Sequence, residues 1–551
     1  MSEPGAQANI GFALQTMAQS QPDTPAVITL TRFVNREFSF QTTSYASLEL
    51  RCAAMARGLI AQGVQKGDRV ALLVPAGPTL YALTFALFRI GAVVVFVDPG
   101  IGIKRMGKCL DDAEPKFFVG IGRAQWARIL FGWGKSTIET SIWVTPRWCA
   151  LGLTLESVEA AGMTDFGALL PETQPSDLAG ILFTSGSTGS PKGVMYTHQM
   201  FSAQVELLRD VYQIQPGERD LPTFPLFGLF DPALGMTTVV PDMDPTRPAR
   251  ANPRKLAAAI EQFKITNLFG SPALLNTLTR FTDDNELRFP TLTRILSAGA
   301  PVGAAVLKKT KAMLGEGGGV HTPYGATECL PIATISGEER LSESIAKRVA
   351  SGRGVCVGRP LPQNDVRIVE VNDRPIEELV DLPTVSTGTV GEIIVRGPTT
   401  SQGYFGRPDA DRLSKVRTNE DVPYFHRMGD LGYFDEDGYL WFCGRKAHRI
   451  ERDGGFVCAV PVEQVVNEHE KVYRSALVNG GAGRLVVVLE LHPKQRLDMD
   501  DENEIRRRVA ASGFPFPIDT FLVHRHLPVD IRHNAKIDRD ALSRWAQERI
   551  K

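Results

Sequence analysis

The chain lacks any apolar run long enough to cross a membrane. Its longest, Gly91-Ala-Val-Val-Val-Phe-Val97, is about a third of the ~20 residues that a span requires and predicts a buried strand instead. It also lacks a surplus of charge, with 61 Lys+Arg against 62 Asp+Glu. The overall charge therefore gives no footprint for a nucleic-acid partner, and an anionic ligand must be met by local charge. The seven cysteines, Cys52, Cys109, Cys149, Cys329, Cys356, Cys443 and Cys458, are odd in number and include no C-x-x-C pair. They predict reduced thiols in a cytoplasmic protein and argue against a zinc site or a disulfide framework. No basic-then-apolar leader opens the chain, so Met1-Ser-Glu-Pro-Gly5 reads as a short disordered start of a protein that is not exported. Internal repeats and low-complexity tracts are missing too.

What is present is a chain of 551 residues, 43% hydrophobic and 22% charged, which exceeds one ordinary core and predicts at least two domains. From about 40 to 350, apolar runs such as 70–74, 92–97, 117–119 and 267–269 alternate with helical stretches such as 45–62 and 78–90. That alternation predicts layered α/β architecture with mostly parallel sheets. Between about 351 and 444 short strands punctuated by Gly and Pro take over, for example 366–370 and 391–396, and predict a small β-rich subdomain. A compact tail follows, with a strand over 484–491 and a helix from Asp538. The aromatic cluster from Trp126 to Trp133, near Arg123, Arg128 and Lys135, reads as a buried helix. A membrane-touching or substrate-entry patch is the alternative.

The densest chemistry lies in Thr184-Ser-Gly-Ser-Thr-Gly-Ser-Pro-Lys-Gly193, a loop of small residues after the apolar run 180–183. Gly186, Gly189 and Gly193 let main-chain N–H groups point inward together, while the hydroxyls of Thr184, Ser185, Ser187 and Thr188 and the ammonium of Lys192 add donors around an anion. It is not the nucleoside-triphosphate P-loop, because Lys192 is followed by Gly193 and Val194 rather than by Ser or Thr. A Ser/Gly surface linker is the bland alternative, but a linker needs neither a preceding strand nor a closing Pro-Lys-Gly.

This decapeptide resembles the signature loop of the adenylate-forming superfamily, which includes acyl-CoA synthetases, luciferases and peptide-synthetase adenylation domains. Four further motifs follow in family order. Ser297-Ala-Gly299-Ala300-Pro301 resembles the turn that lines adenine. In Tyr324-Gly325-Ala326-Thr327-Glu328 the resemblance implies that the ring stacks on adenine, the Thr touches the α-phosphate and the Glu helps hold Mg²⁺. Met428-Gly-Asp430 with Gly444-Arg445 resembles the ribose-binding pair, and Asn534-Ala-Lys536-Ile-Asp-Arg539 the segment that carries the catalytic lysine. The implied architecture is a large N-terminal domain to about residue 444, made of two layered α/β subdomains plus the β-rich one. A small mobile α+β C-terminal domain follows, on a hinge just after Arg445.

A carboxylate attacking the α-phosphorus of ATP approaches a tetra-anion, so cations and N–H donors are the main need. The resemblance implies ATP and Mg²⁺ as cofactors and Lys536, Glu328 and Thr184 as catalytic residues. The loop would hold the β- and γ-phosphates while Lys536 bridges carboxylate and α-phosphate. Departures from the family pattern bear on the second half-reaction. Where acyl-CoA ligases carry His after Pro-x-Phe, Phe227 is followed by Gly228, and where the hinge carries Asp and Lys this chain has Ala447 and Glu451. These departures, with segments 97–102, 224–236, 354–360, 426–448 and 528–534, resemble the β-lactone synthetases of bacterial long-chain olefin biosynthesis. There the implied substrate is a long-chain 2-alkyl-3-hydroxy acid whose own hydroxyl displaces AMP. Asp231 and His426 are candidates for a base, with structural roles the simpler reading of both. The acyl pocket is implied around 224–236 and 267–275, and association with other enzymes of an olefin pathway is a further implication. A long-chain acyl-CoA or acyl-carrier ligase is the runner-up, and a nucleotide-binding regulator without catalysis the third reading.

Overall fold

The computed structural model describes residues 9–164, 169–183, 191–418, 424–452, 454–529 and 536–550. Two sheets carry most of it. The first has six strands in the order Thr140–Val144, Phe117–Ile121, Arg69–Leu73, Val93–Val97, Leu178–Phe183, Gly193–Thr197. The first five are parallel, and the last turns back antiparallel with Phe183 opposite Gly193. Val93–Val97 is buried along its whole length, which is why its sequence is a continuous apolar run rather than an alternating one. The helix Pro78–Ile90 is buried on nearly every side, as its apolar character all round requires. On the same side of the sheet, the helices Tyr45–Ala61 and Leu155–Thr164 pack so closely that a Cβ on Gly162 would fall 1.9 Å from the Ala54 carbonyl oxygen. Only glycine permits that approach.

The second sheet begins as a parallel block of Pro25–Val34, Thr237–Val240, Arg219–Pro222, Asn267–Phe269, Arg294–Leu296 and Gly319–Ala326. It continues through the hairpin Gly319–Ala326/Cys329–Ser336 into the antiparallel strands Val355–Pro360, Leu440–Arg445, Tyr424–Phe434, Gly391–Arg396 and Asp365–Val369. The β-rich stretch expected over 351–444 is thus an extension of this sheet, because Cys329–Ser336 pairs on both edges. Its core borrows Cys329 and Ile332 from before that stretch.

Residues 450–550 build their own core. The strand Leu485–Leu491 sits in a three-stranded sheet and is buried on both faces. Leu485, Val487 and Leu489 face Val466 and Ile505, while Val486 and Val488 face Leu542 and Ala546, the two-residue period of a strand. Asp538 caps the final helix Arg539–Gln547 by accepting the Ala541 N–H at 3.0 Å.

The expected buried helix at Trp126 is corrected. A helix forms over Gly122–Phe131, but it covers the edge of the first sheet, and Trp126, Ile129, Leu130 and Phe131 face outward; only Trp133 is buried. No helix among the described residues is long and apolar enough to cross a membrane.

Candidate functional site

The carboxyl ends of the parallel strands in the second sheet lie at one edge, the place where open α/β sheets receive ligands. After Leu296 the chain turns through Ser297, Gly299, Ala300 and Pro301. Gly299 has φ +93°, which favours glycine, and the Ser297 hydroxyl is buried without a hydrogen-bond partner. Gly319–Ala326 brings in Tyr324, and the tight hairpin turn after it presents Thr327 and Glu328. A Cβ on Gly325 would lie 2.5 Å from the Cys329 carbonyl, so the turn needs glycine there.

Asp430 and Arg445 are directly opposite one another on adjacent strands, so register alone joins them. Their side chains pair at 2.9 Å, Arg445 also donates to the Met428 carbonyl at 3.1 Å, and the Tyr324 hydroxyl donates to Asp430 at 2.7 Å. Burial pushes the Asp430 carboxyl up from its ordinary value, opposed by Arg445, Tyr324 and the charge of Lys536. Lys536, from the C-terminal part, therefore lies within electrostatic reach of the pair. Asp430 Oδ1 is the oxygen held by Arg445, and the buried Ser297 hydroxyl is without a hydrogen-bond partner; a carboxylate braced by an arginine, with a waiting hydroxyl at the same edge, fits the hydroxyls and amines of a nucleoside.

Glu328 is held from behind. The Tyr404 hydroxyl donates to its Oε1 at 2.6 Å, and the Lys192 ammonium lies 4.8 Å from the Tyr404 ring centroid. Tyr404 is carried by residues 403–405, which pair with Gly193–Thr197 through Met195 N–H to Gly403 O at 3.1 Å and Phe405 N–H to Gly193 O at 2.8 Å. The same segment thus steadies both the acidic residue and the strand Gly193–Thr197 that follows Lys192. Tyr196 donates to the Thr327 carbonyl from the other side. Lys415 and His426, side by side across a strand pair, are buried behind this group. Desolvation pulls the Lys415 ammonium down to about 8 against the attraction of Glu328 and Asp411. Desolvation and the cations Lys415, Lys192 and Arg445 keep His426 neutral. Among the described residues no group of three or more His, Cys, Asp and Glu could cage a metal alone. One firmly held carboxylate still fits Mg²⁺, which usually keeps its waters and binds through one or two carboxylates and phosphate oxygens.

The structure thus gathers Tyr324, Thr327, Glu328, Asp430, Arg445, Ser297 to Pro301 and Lys192 around one edge, with Lys536 near. Thr184, Ser185, Gly186, Ser187, Thr188 and Gly189 lie outside the described residues; the strands on either side, Leu178–Phe183 and Gly193–Thr197, pair antiparallel. Tyr404 and Lys415 were missed by the sequence reading. The only local signal was an aromatic between glycines, Gly403-Tyr-Phe-Gly406.

The two candidate bases fall in different places. His426 lies behind Glu328. Asp231 begins the short helix after Gly228 and accepts from Thr238 at 2.8 Å. Burial raises its carboxyl well above the ordinary range. Beside it the Tyr81 hydroxyl is buried without a hydrogen-bond partner and would sit 2.7 Å from a Cβ at position 228. Gly228 is therefore required by Tyr81. The neighbouring wall is aromatic, with Phe227 stacked on Phe269 at 3.9 Å and Phe224 at 5.5 Å from Phe227.

Residues 14–405 match the AMP-binding enzyme family. The chain belongs to that family, whose members form adenylates. It is 44% identical over 553 residues to the olefin beta-lactone synthetase of Xanthomonas campestris pv. campestris, covering 98% of each chain. It is 43% identical to the olefin beta-lactone synthetase of Stenotrophomonas maltophilia, again over 98% of both. Among solved structures, the fold matches the O-succinylbenzoate coenzyme A synthetase of Bacillus subtilis in complex with ATP and magnesium ion, with a TM-score of 0.72, 23% identity and coverage of 96% and 98%. The protein is an AMP-forming, adenylating enzyme.

Proposed function

We propose that the protein activates a long-chain 2-alkyl-3-hydroxy carboxylic acid with ATP and closes the acyl adenylate to a β-lactone, releasing AMP. What carries the reading is the full-length likeness to two olefin beta-lactone synthetases. The Gly228–Tyr81 contact supports it, since a larger side chain at 228 would strike the Tyr81 hydroxyl.

In the first step a carboxylate oxygen of the substrate attacks the α-phosphorus and the bond to pyrophosphate breaks. On this reading Asp430 accepts the ribose hydroxyls beside Arg445, Tyr324 flanks adenine, and Thr184 to Gly189 with Lys192 take the β- and γ-phosphates. Lys536 places its ammonium between the carboxylate and the α-phosphate. Mg²⁺, when bound at Glu328, supplies charge neutralisation to the phosphates. In the second step the 3-hydroxyl oxygen bonds to the acyl carbon, the carbon–oxygen bond to AMP breaks, and the hydroxyl proton passes to a base. Asp231, beside Gly228 and the aromatic wall, is the base we assign, acting in its ionised form, which burial makes the minor one near neutral pH; His426 lies behind Glu328. Residues 1–444 form the large domain and 445–551 the small mobile one, so domain closure delivers Lys536.

Loss of one preorganised donor costs roughly 10²- to 10³-fold in rate, and Lys536→Ala should slow ATP–pyrophosphate exchange by that factor. The reaction itself is tested by supplying ATP, Mg²⁺ and a long-chain 3-hydroxy acid without coenzyme A, then measuring AMP and the infrared band of a strained lactone. Turnover only on adding coenzyme A would refute the lactone reading in favour of an acyl-CoA ligase.

A further inference from the structure

The outward stripe of the helix Gly122–Phe131 is an exposed apolar surface that the catalytic reading does not use. Trp126, Ile129 and Leu130 share one face at one-turn spacing, and the exposed Phe131, stacked on Trp133, lies beside them. Leu130 is 77% exposed, and Trp148, which follows the neighbouring edge strand Thr140–Val144, is 87% exposed. The helix starts beside that strand's end, because Gly122 lies against Thr145, and Trp126 packs edge-on against Trp143 at 5.9 Å. Among the described residues nothing covers the stripe, since Thr140–Val144 is the last strand of the sheet.

Cations flank it. The adjacent helix Ile103–Ala113 shares its core, with Gly107 against the Trp133 ring, and turns Lys104, Arg105 and Lys108 to solvent. Arg123 and Lys135 are exposed at the two ends of the stripe. Among the described residues none of these five makes an ion pair with a carboxylate. The acids nearby are engaged elsewhere: Asp111 with the Gly134 N–H at 2.9 Å, Glu114 with Arg69 at 3.6 Å, Asp112 facing Arg407, and Asp244, within electrostatic reach of Arg123, with Thr246 at 2.7 Å. From 103 to 135 the sequence holds seven Lys and Arg against three Asp and Glu, in a chain whose formal net charge is −1. The positive charge is therefore local to this face.

We infer that this face docks on an anionic lipid bilayer. Exposed Trp, Leu and Phe on one helix stripe with Lys and Arg at its margins is the composition that lies in a headgroup boundary, apolar side chains inserted and cations on the phosphates. A second copy of the chain fits less well, because a two-fold contact through the stripe would bring the two cation rows together. The inference does not rest on the proposed reaction, so each can fail alone.

The test is co-sedimentation of the full chain with vesicles of phosphatidylcholine, with and without phosphatidylglycerol. Binding should be several-fold stronger to the anionic vesicles and should weaken as salt is raised. Leu130→Ser with Phe131→Ser should lower it about tenfold or more. Lys104→Glu with Lys108→Glu should abolish the preference for anionic lipid. Both variants should keep the parent's thermal unfolding midpoint. Equal sedimentation with both vesicle types, or unchanged binding by the Ser variant, would overturn the inference. So would a dimer in lipid-free buffer that the Ser variant dissolves, since the stripe would then be a self-contact.

Discussion

Replacing Tyr404 by Phe removes one oxygen and leaves the ring beneath Lys192 in place. That oxygen donates to Glu328 Oε1 at 2.6 Å. The phenol stays protonated because burial, the Glu328 charge and the hydrogen bond to it all raise its pKa, so the bond is a neutral donor on an ionised acceptor. Such bonds contribute about 1.5–3 kcal/mol net. If Tyr404 aims Glu328 at Mg²⁺, most of that energy is lost from the assembled site, which corresponds to roughly 10- to 150-fold. The assay is ATP–pyrophosphate exchange as a function of Mg²⁺ at fixed ATP. The variant should need about tenfold more Mg²⁺ or more for half-maximal rate, while its unfolding midpoint moves little. In a Glu328→Gln background the same change should add almost nothing, since the carboxylate it orients is gone. Superimposable Mg²⁺ curves for parent and Tyr404→Phe, or fully additive effects in the double variant, would refute the argument.

Gly228→Ala sets a methyl 2.7 Å from the Tyr81 hydroxyl and 2.9 Å from Pro222 Cγ. It should destabilise by about 1–3 kcal/mol, with part recovered by Tyr81→Phe in thermal unfolding; strict additivity counts against the contact. Lys415 has its pKa lowered to about 8 by burial. Between that value and the unfolded value near 10.5 the unfolded chain binds a proton that the folded chain has released, so unfolding free energy should rise with pH by up to about 3 kcal/mol. Lys415→Met should flatten that rise in denaturant titrations from pH 7 to 10. Glu392 is buried and pairs with Arg427 at 2.6 Å and Lys446 at 3.0 Å. Glu392→Gln strands two cations and should cost about 3–5 kcal/mol in chemical unfolding.

Elements buried on all sides were readable because their apolar runs are continuous: Pro78–Ile90 and Gly391–Arg396 form where the pattern predicts them. Site residues within short motifs, such as Tyr324 with Glu328, were equally legible, since their spacing is local. What escaped was long-range. Tyr404 reaches Glu328 across 76 positions, and Lys415 meets His426 through a strand register that no window contains. The continuity of the second sheet depends on Cys329–Ser336 having partners on both sides, a pairing that composition does not encode. At Trp126 the aromatic cluster predicted a helix, which forms, but a buried one, which it is not. Periodicity defines a face but not what lies against it, and here the sheet ends before anything can.

The geometry also bears on why a lactone is a natural end for this adenylate. An acyl adenylate is open to water, and an enzyme that waits for a second substrate must reopen its site while the anhydride survives. A hydroxyl on the substrate itself removes that requirement, because ring closure replaces a bimolecular step with an intramolecular one. The demands that remain are a dry wall and a fixed conformer, and on the proposed reading the stacked Phe227 and Phe269 are that wall. The segment after Arg445 is consistent with a lesser need for reopening. Lys446 pairs with Glu392 at 3.0 Å and Arg449 with Asp373 at 2.5 Å, while Glu451, where the related ligases carry Lys, pairs back to Arg449 at 2.7 Å. On the proposed domain division, a rotation centred just after Arg445 breaks the first two of these contacts, so they favour the arrangement seen here, in which the charge of Lys536 reaches Asp430, and the intramolecular route needs no further opening for a thiol.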